Sequence, residues 1–136
     1  MRIVIDTNVI VSGLYDSSSV PGRVLDAAVR GSLHLCAPES VREELMRVLT
    51  RVLGFTPAQR SAAFEALPVE WIPEAIYRDF LSEAAALLRD ASDAPIMACA
   101  LAIGCDVVSG DGDLHAAKSP KVRVWRPAEL AAKTRG

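Results

Sequence analysis

Cysteine is scarce in this chain of 136 residues: Cys36, Cys99 and Cys105 form no C-x-x-C pair and no Cys/His cluster at zinc-ligand spacing. That excludes a disulfide-stapled module and a zinc finger, and three free thiols inside apolar segments are expected to be buried in a reducing compartment. Long hydrophobic runs are missing as well. The first apolar stretch ends at Asp6, far too early for the core of a signal peptide or a membrane span, so a cytoplasmic location is expected. Polar low-complexity tracts, internal repeats and linkers are also absent. With 51% hydrophobic and 24% charged residues, the composition predicts one globular domain over residues 1–136.

A basic balance is the last absence. The net charge is −2, whereas phosphate-binding domains are usually basic. Distribution offsets this: after Leu114, the residues Lys118, Lys121, Arg123, Arg126, Lys133 and Arg135 face Glu129 alone. That stretch is a candidate for RNA phosphates or an ordinary solvated face.

What is present is an alternation of short β-prone runs with helical patterns. Arg2 to Ile5, Leu33 to Cys36 and Asp106 to Ser109 read as strands, and the intervening periodicities predict βαβ units and an α/β fold with a mostly parallel sheet. Pro21 and Gly31 bracket a first long helix from Pro21 to Arg30. A second begins near Ser40 and carries the apolar stripe Val41, Leu45, Val48, Leu49 and Val52. Ser40 and Glu43 fit a capping box at its start. Thr56-Pro57 marks another helix through Glu65, and Val69 to Ile72 reads as a short edge strand. Helical spacing returns from Asp79 to Leu88 and from Asp93 to Ile103, the latter apolar almost all round and therefore buried, with Gly104 as its stop. Val122 to Trp125 alternates as a half-exposed edge strand.

The chemistry-bearing residues are acids. Asp6 follows Ile3-Val4-Ile5, and Asp111 follows Val107-Val108-Ser109 after one glycine, so both lie just beyond strand carboxyl ends, the edge at which open α/β sheets bind ligands. Asp93 stands at the start of the buried helix, which the alternation brings to the same edge. Such a cluster repels itself unless a divalent cation compensates it. Oxygen-only ligands suit Mg²⁺ or Mn²⁺, and an ion held there supports phosphodiester hydrolysis. Each acid has a structural use too: Asp6 as a cap, Asp93 as a first-turn acid, Asp111 as a turn residue. Asp113 is equally a ligand or a turn residue. Asn8 and Ser109 are candidates to orient Asp6 and Asp111, though they also suit a cap and a strand end.

The segments Ile3-Val4-Ile5-Asp6-Thr7-Asn8-Val9-Ile10, Glu43-Glu44-Leu45, Asp93-Ala94-Pro95-Ile96 and Ser109-Gly110-Asp111-Gly112-Asp113-Leu114 together resemble a PIN domain, over nearly the whole chain. The resemblance implies a three-layer α/β/α sandwich. It is nearest the toxin-like subgroup of bacterial type II toxin–antitoxin modules, which implies an Mg²⁺- or Mn²⁺-dependent endoribonuclease acting on single-stranded RNA, a homodimer and an antitoxin partner. By position, Asp6, Glu44, Asp93 and Asp111 match the family's four acids and Asp113 a further, frequently acidic one; Ser109 replaces the usual threonine. Helix phase separates the adjacent acids, because Glu44 borders the apolar stripe while Glu43 points away from it. Two rival functions fit the residues less well. A phosphotransferase of the haloacid dehalogenase type requires a second aspartate where Asn8 stands. A PIN-like module that binds RNA or protein without turnover has no use for a repulsive acid cluster, unless a structural cation sits there.

Overall fold

The computed structural model describes residues 1–135. Its strands are β1 (Arg2–Ile5), β2 (His34–Pro38), β3 (Val69–Ile72), β4 (Asp106–Val108) and β5 (Val124–Trp125), and its helices are α1 (Thr7–Tyr15), α2 (Val20–Val29), α3 (Glu39–Arg51), α4 (Pro57–Ala66), α5 (Glu74–Tyr77), α6 (Leu81–Leu87), α7 (Ala94–Ile103), α8 (Gly112–Ala116) and α9 (Pro127–Lys133). Single 3₁₀ turns at Arg78–Phe80 and Ala91–Asp93 precede α6 and α7.

All five strands are parallel, in the order β3-β2-β1-β4-β5. A parallel sheet is buried on both faces, which is why its central strands are apolar without alternation: Ile3, Val4, Ile5, Leu35, Cys36, Val107 and Val108 are all fully buried. Helix α7 lies across β1, β2 and β4 with α5 and α6 packed on it, while α1, α2, α3 and α9 pack as a second group, giving the α/β/α sandwich. Because α7 is enclosed, Ala94 and every residue from Ile96 to Ala100 are buried. Gly104 ends it in the left-handed conformation, φ 68°, which a side chain would resist. Among the described residues, no helix is long and apolar enough to cross a membrane.

Several expectations need correction. Helix α1 enters the expectations only through the reading of Asp6 as a helix or turn cap, and α9 not at all. The strand β2 begins at His34, leaving Leu33 outside, and β5 is reduced to two residues. The pattern from Asp79 to Leu88 divides into a 3₁₀ turn and α6. The capping box at Ser40 and Glu43 does not form, because β2 runs directly into α3 with Pro38 as its cap, and Ser40 falls inside the first turn. Within the stripe of α3, Val41, Leu45 and Leu49 are buried but Val52, just past the helix, is 73% exposed. Cys105 is only partly buried. At Thr56, by contrast, the cap is complete: Thr56 Oγ1 accepts from the Gln59 amide at 3.1 Å and Gln59 Oε1 accepts from the Thr56 amide at 2.8 Å.

Candidate active site

The carboxyl ends of β1 and β4 lie side by side, since Ile5 pairs with Val108 and the Asp6 amide continues the ladder to the Val108 carbonyl at 3.1 Å. Each strand passes almost at once into a helix, so the acids that follow are carried on short, hydrogen-bonded junctions. Asp6 is the N-cap of α1 yet makes no side-chain bond to that helix. Its carboxylate instead accepts a hydrogen bond from the Ser109 hydroxyl at 2.7 Å. Ser109 Oγ in turn accepts from the Asp111 amide at 2.9 Å, and so joins the two strand ends through one buried hydroxyl. Asp111 caps α8, taking the Asp113 amide on Oδ1 at 2.7 Å. His115 Nε2 meets the Ser109 carbonyl at 2.5 Å, bracing the same residue from α8.

From the other direction, the 3₁₀ turn before α7 delivers Asp90 and Asp93. Asp90 Oδ1 accepts from the Ser92 amide and hydroxyl at 2.9 and 2.8 Å, and those bonds hold its carboxyl below the ordinary range. Asp93 has no such help. It caps α7 without a side-chain bond, and Pro95 in the first turn has no amide to offer. Among the described residues, Asp93 Oδ2 is the one buried side-chain oxygen or nitrogen with no hydrogen-bond partner. Burial, followed by the charges of Asp111, Asp6, Asp90 and Asp113, pushes the Asp93 carboxyl up to about 7. Asp6 also shifts upward, mainly by burial, with the Ser109 hydroxyl and the Thr7 amide opposing and Glu44 and Asp111 reinforcing the shift.

These residues line one cleft of about 580 Å³, whose walls include Asp6, Asn8, Glu44, Asp90, Asp93 and Asp111, and whose lining cation is Arg47. Glu44 reaches it from α3, where Thr7 Oγ1 donates to its Oε2 at 3.0 Å. Glu43 faces a separate depression with Glu39, Glu74 and Tyr77. Asp113 borders the cluster: carboxylate oxygens of Asp90, Asp93 and Asp113 lie within 4.8 Å of one another, with Asp6 and Asp111 outside that group. Asn8 lines the cleft but is exposed. None of the basic residues after Leu114 lines this cleft. Lys121 pairs with Glu83, while Arg123 stacks 3.5 Å from the Trp125 ring centroid and pairs with Glu129.

Sequence reasoning missed Asp90, Thr7 and Arg47. The first stands three residues before Asp93, the span of one tight turn, and Arg47 stands three residues after Glu44, so helical spacing carried a signal for each. The donor set is a test of its own. Carboxylates alone, at least one with a buried oxygen that nothing in the protein satisfies, form a site that suits a hard divalent cation.

A parallel α/β/α sandwich with an acidic cleft at its strand carboxyl ends defines an α/β protein with a hard-cation type of site. The chain belongs to the PIN domain family, whose model matches residues 2–112, and PIN domains are generally nucleases. A comparison with curated proteins finds no match.

Proposed function

We propose that this protein is an Mg²⁺- or Mn²⁺-dependent endoribonuclease that hydrolyses phosphodiester bonds in single-stranded RNA. In the cell it serves as the toxin of a toxin–antitoxin module, working as a cytoplasmic homodimer restrained by an antitoxin protein. The observation that carries the reading is the convergence of Asp6, Glu44, Asp93 and Asp111 on one cleft, with a buried Asp93 oxygen left unpaired.

Asp6, Asp93 and Asp111 would hold the cation, with Asp90 and Asp113 at the same rim. When bound, the ion neutralises phosphodiester charge and lowers the pKa of a coordinated water. The protein's own residues do the rest. Ser109 fixes Asp6 relative to Asp111, so that two carboxylates from opposite ends of the chain keep one spacing. Glu44, held by Thr7 and open to solvent, accepts the proton of the attacking water. Arg47, on the same helix, pairs with a substrate phosphate that the acids would otherwise repel.

The test is cleavage of single-stranded RNA by the purified full chain with Mn²⁺ or Mg²⁺, with Asp6→Asn as the blank. Cleavage lost with chelator and in Asp6→Asn is expected. RNA binding without turnover, or cleavage that survives chelation, would overturn the proposal, and the first of these would leave a binding module. Mapping cut sites after brief induction in a host would then identify the RNA.

A further inference from the structure

A second group of metal donors lies toward the amino-terminal ends of β2 and β3, away from the acidic cleft. His34 and Cys36 are two residues apart on β2, so the pleat turns both to one face, and the register sets Glu70 of β3 opposite Cys36. An imidazole nitrogen, a sulfur and a carboxylate oxygen thereby come within 4.8 Å of one another. His34 Nε2 lies 2.9 Å from Glu70 Oε1, and the Cys36 thiol points at the same oxygen across 3.8 Å. Arg2 of β1 closes the group, with Nε 3.3 Å from Cys36 Sγ and its guanidinium 3.5 Å from Glu70 Oε1.

We propose that His34, Cys36 and Glu70 form a second metal site, independent of the nuclease cleft, that takes a borderline cation such as Zn²⁺. The donor set decides the class of ion. Nitrogen, thiolate sulfur and carboxylate oxygen are zinc ligands, whereas Mg²⁺ prefers oxygen alone. Three protein ligands leave a fourth tetrahedral position for water. The side chains of His34 and Glu70 are 59% and 48% exposed, so the ion enters from solvent and meets the buried sulfur of Cys36 beneath them. Arg2 stands in the way, but its side chain is 42% exposed and swings into water without moving its strand. On binding, the Cys36 thiol releases its proton to solvent and His34 ligates through a neutral ring nitrogen. Without an ion the group is an exposed charge network that contributes little to stability. With one, the edge strand β3 is cross-linked to β2.

Cobalt(II) is the probe, titrated into the full chain. Thiolate-to-cobalt charge transfer absorbs in the near ultraviolet, a band that the all-oxygen cleft cannot produce. One equivalent giving that band, displaced by Zn²⁺, is expected. His34→Gln alters an exposed side chain and should fold; it should weaken cobalt binding by at least about a hundredfold, since loss of a mere outer-shell partner costs 10- to 100-fold. Cys36→Ser should abolish the band, whereas Cys99→Ser and Cys105→Ser should keep it. Absence of the band, unchanged affinity in His34→Gln, or loss of the band in Cys99→Ser or Cys105→Ser would overturn the proposal.

Discussion

The Asp93 carboxyl is the most stressed group in the cleft, and Asp93→Asn turns that stress into a measurable quantity. Asparagine keeps the shape and removes the charge. In the folded, metal-free protein the carboxyl titrates at about 7, against an ordinary value of 3.8. Between those values the folded state holds a proton that the unfolded chain has released. Stability is therefore greatest on the acid side, falls as pH climbs from the unfolded value toward 7, and is flat beyond. The full shift corresponds to about 4 kcal/mol, and screening by the water that fills an open cleft reduces this to about 1–2 kcal/mol. For a domain of this size that is about 3–7 °C in Tm.

Thermal unfolding of both proteins in chelator, at intervals from pH 4 to pH 8, makes the comparison. Asp93→Asn should be the more stable at pH 8, with a gap that widens up to pH 7 and then holds. Saturating Mn²⁺ should reverse the order, because an ion present at a hundred times its Kd stabilises the wild type by about 2.7 kcal/mol and the variant by less. A gap that ignores pH, or an Asn variant less stable than wild type in chelator at pH 8, would refute the argument that burial and like charge load this carboxyl.

Two further predictions concern the walls of the cleft. Glu44→Gln should lower RNA cleavage at least about a hundredfold with Tm unchanged, the scale of a lost general base, while Glu43→Gln, facing another depression, should cleave like wild type; inverted results in a cleavage assay would mean the α3 phase does not govern the site. Arg47→Ala should weaken RNA binding and make the slope of log affinity against log salt shallower by about 0.7, the single-strand value for one phosphate contact, whereas a Lys118/Lys121 double alanine should leave that slope alone.

What could be read from the sequence follows from where one physical signal dominated. The central strands and α7 are apolar enough that burial is their only stable outcome, and Asp6 and Asp111 declare themselves by ending such strands. Helix α1 is signalled only by the reading of Asp6 as a helix or turn cap, because Thr7 follows Asp6 with no linker and the β-branched Val9, Ile10 and Val11 have low helix propensity. Burial of Val9 and Ile10 overrides that preference. At Ser40 a local motif lost to topology, since the strand enters α3 two residues too early for the serine to cap it. Helix α9 did carry a legible start, Pro127 in its first turn with Glu129 Oε1 accepting from the Arg126 amide at 2.8 Å. Asp90 and Arg47 line the cleft by turn geometry and helix phase, and Thr7 bears on it only through its bond to Glu44; the spacing signal for the first two is real but weak beside that of the strand-end acids.

The structural and chemical readings of these acids are not alternatives. Asp6, Asp90, Asp93 and Asp111 each occupy the N-cap of a helix or 3₁₀ turn, where exposed amides make negative charge tolerable. That placement lets one cleft hold carboxylates that would otherwise force each other apart. Within the set, the caps divide the work. Asp90 and Asp111 spend a carboxylate oxygen on the amide two residues ahead and so lock their turns. Asp6 and Asp93 make no side-chain capping bond of that kind, and both are pushed toward the protonated form. A carboxylate that capped its own helix would be comfortable without a partner. These two are left uncomfortable, Asp93 with a buried oxygen that nothing in the chain satisfies, a cost that the cation of the proposed function would remove.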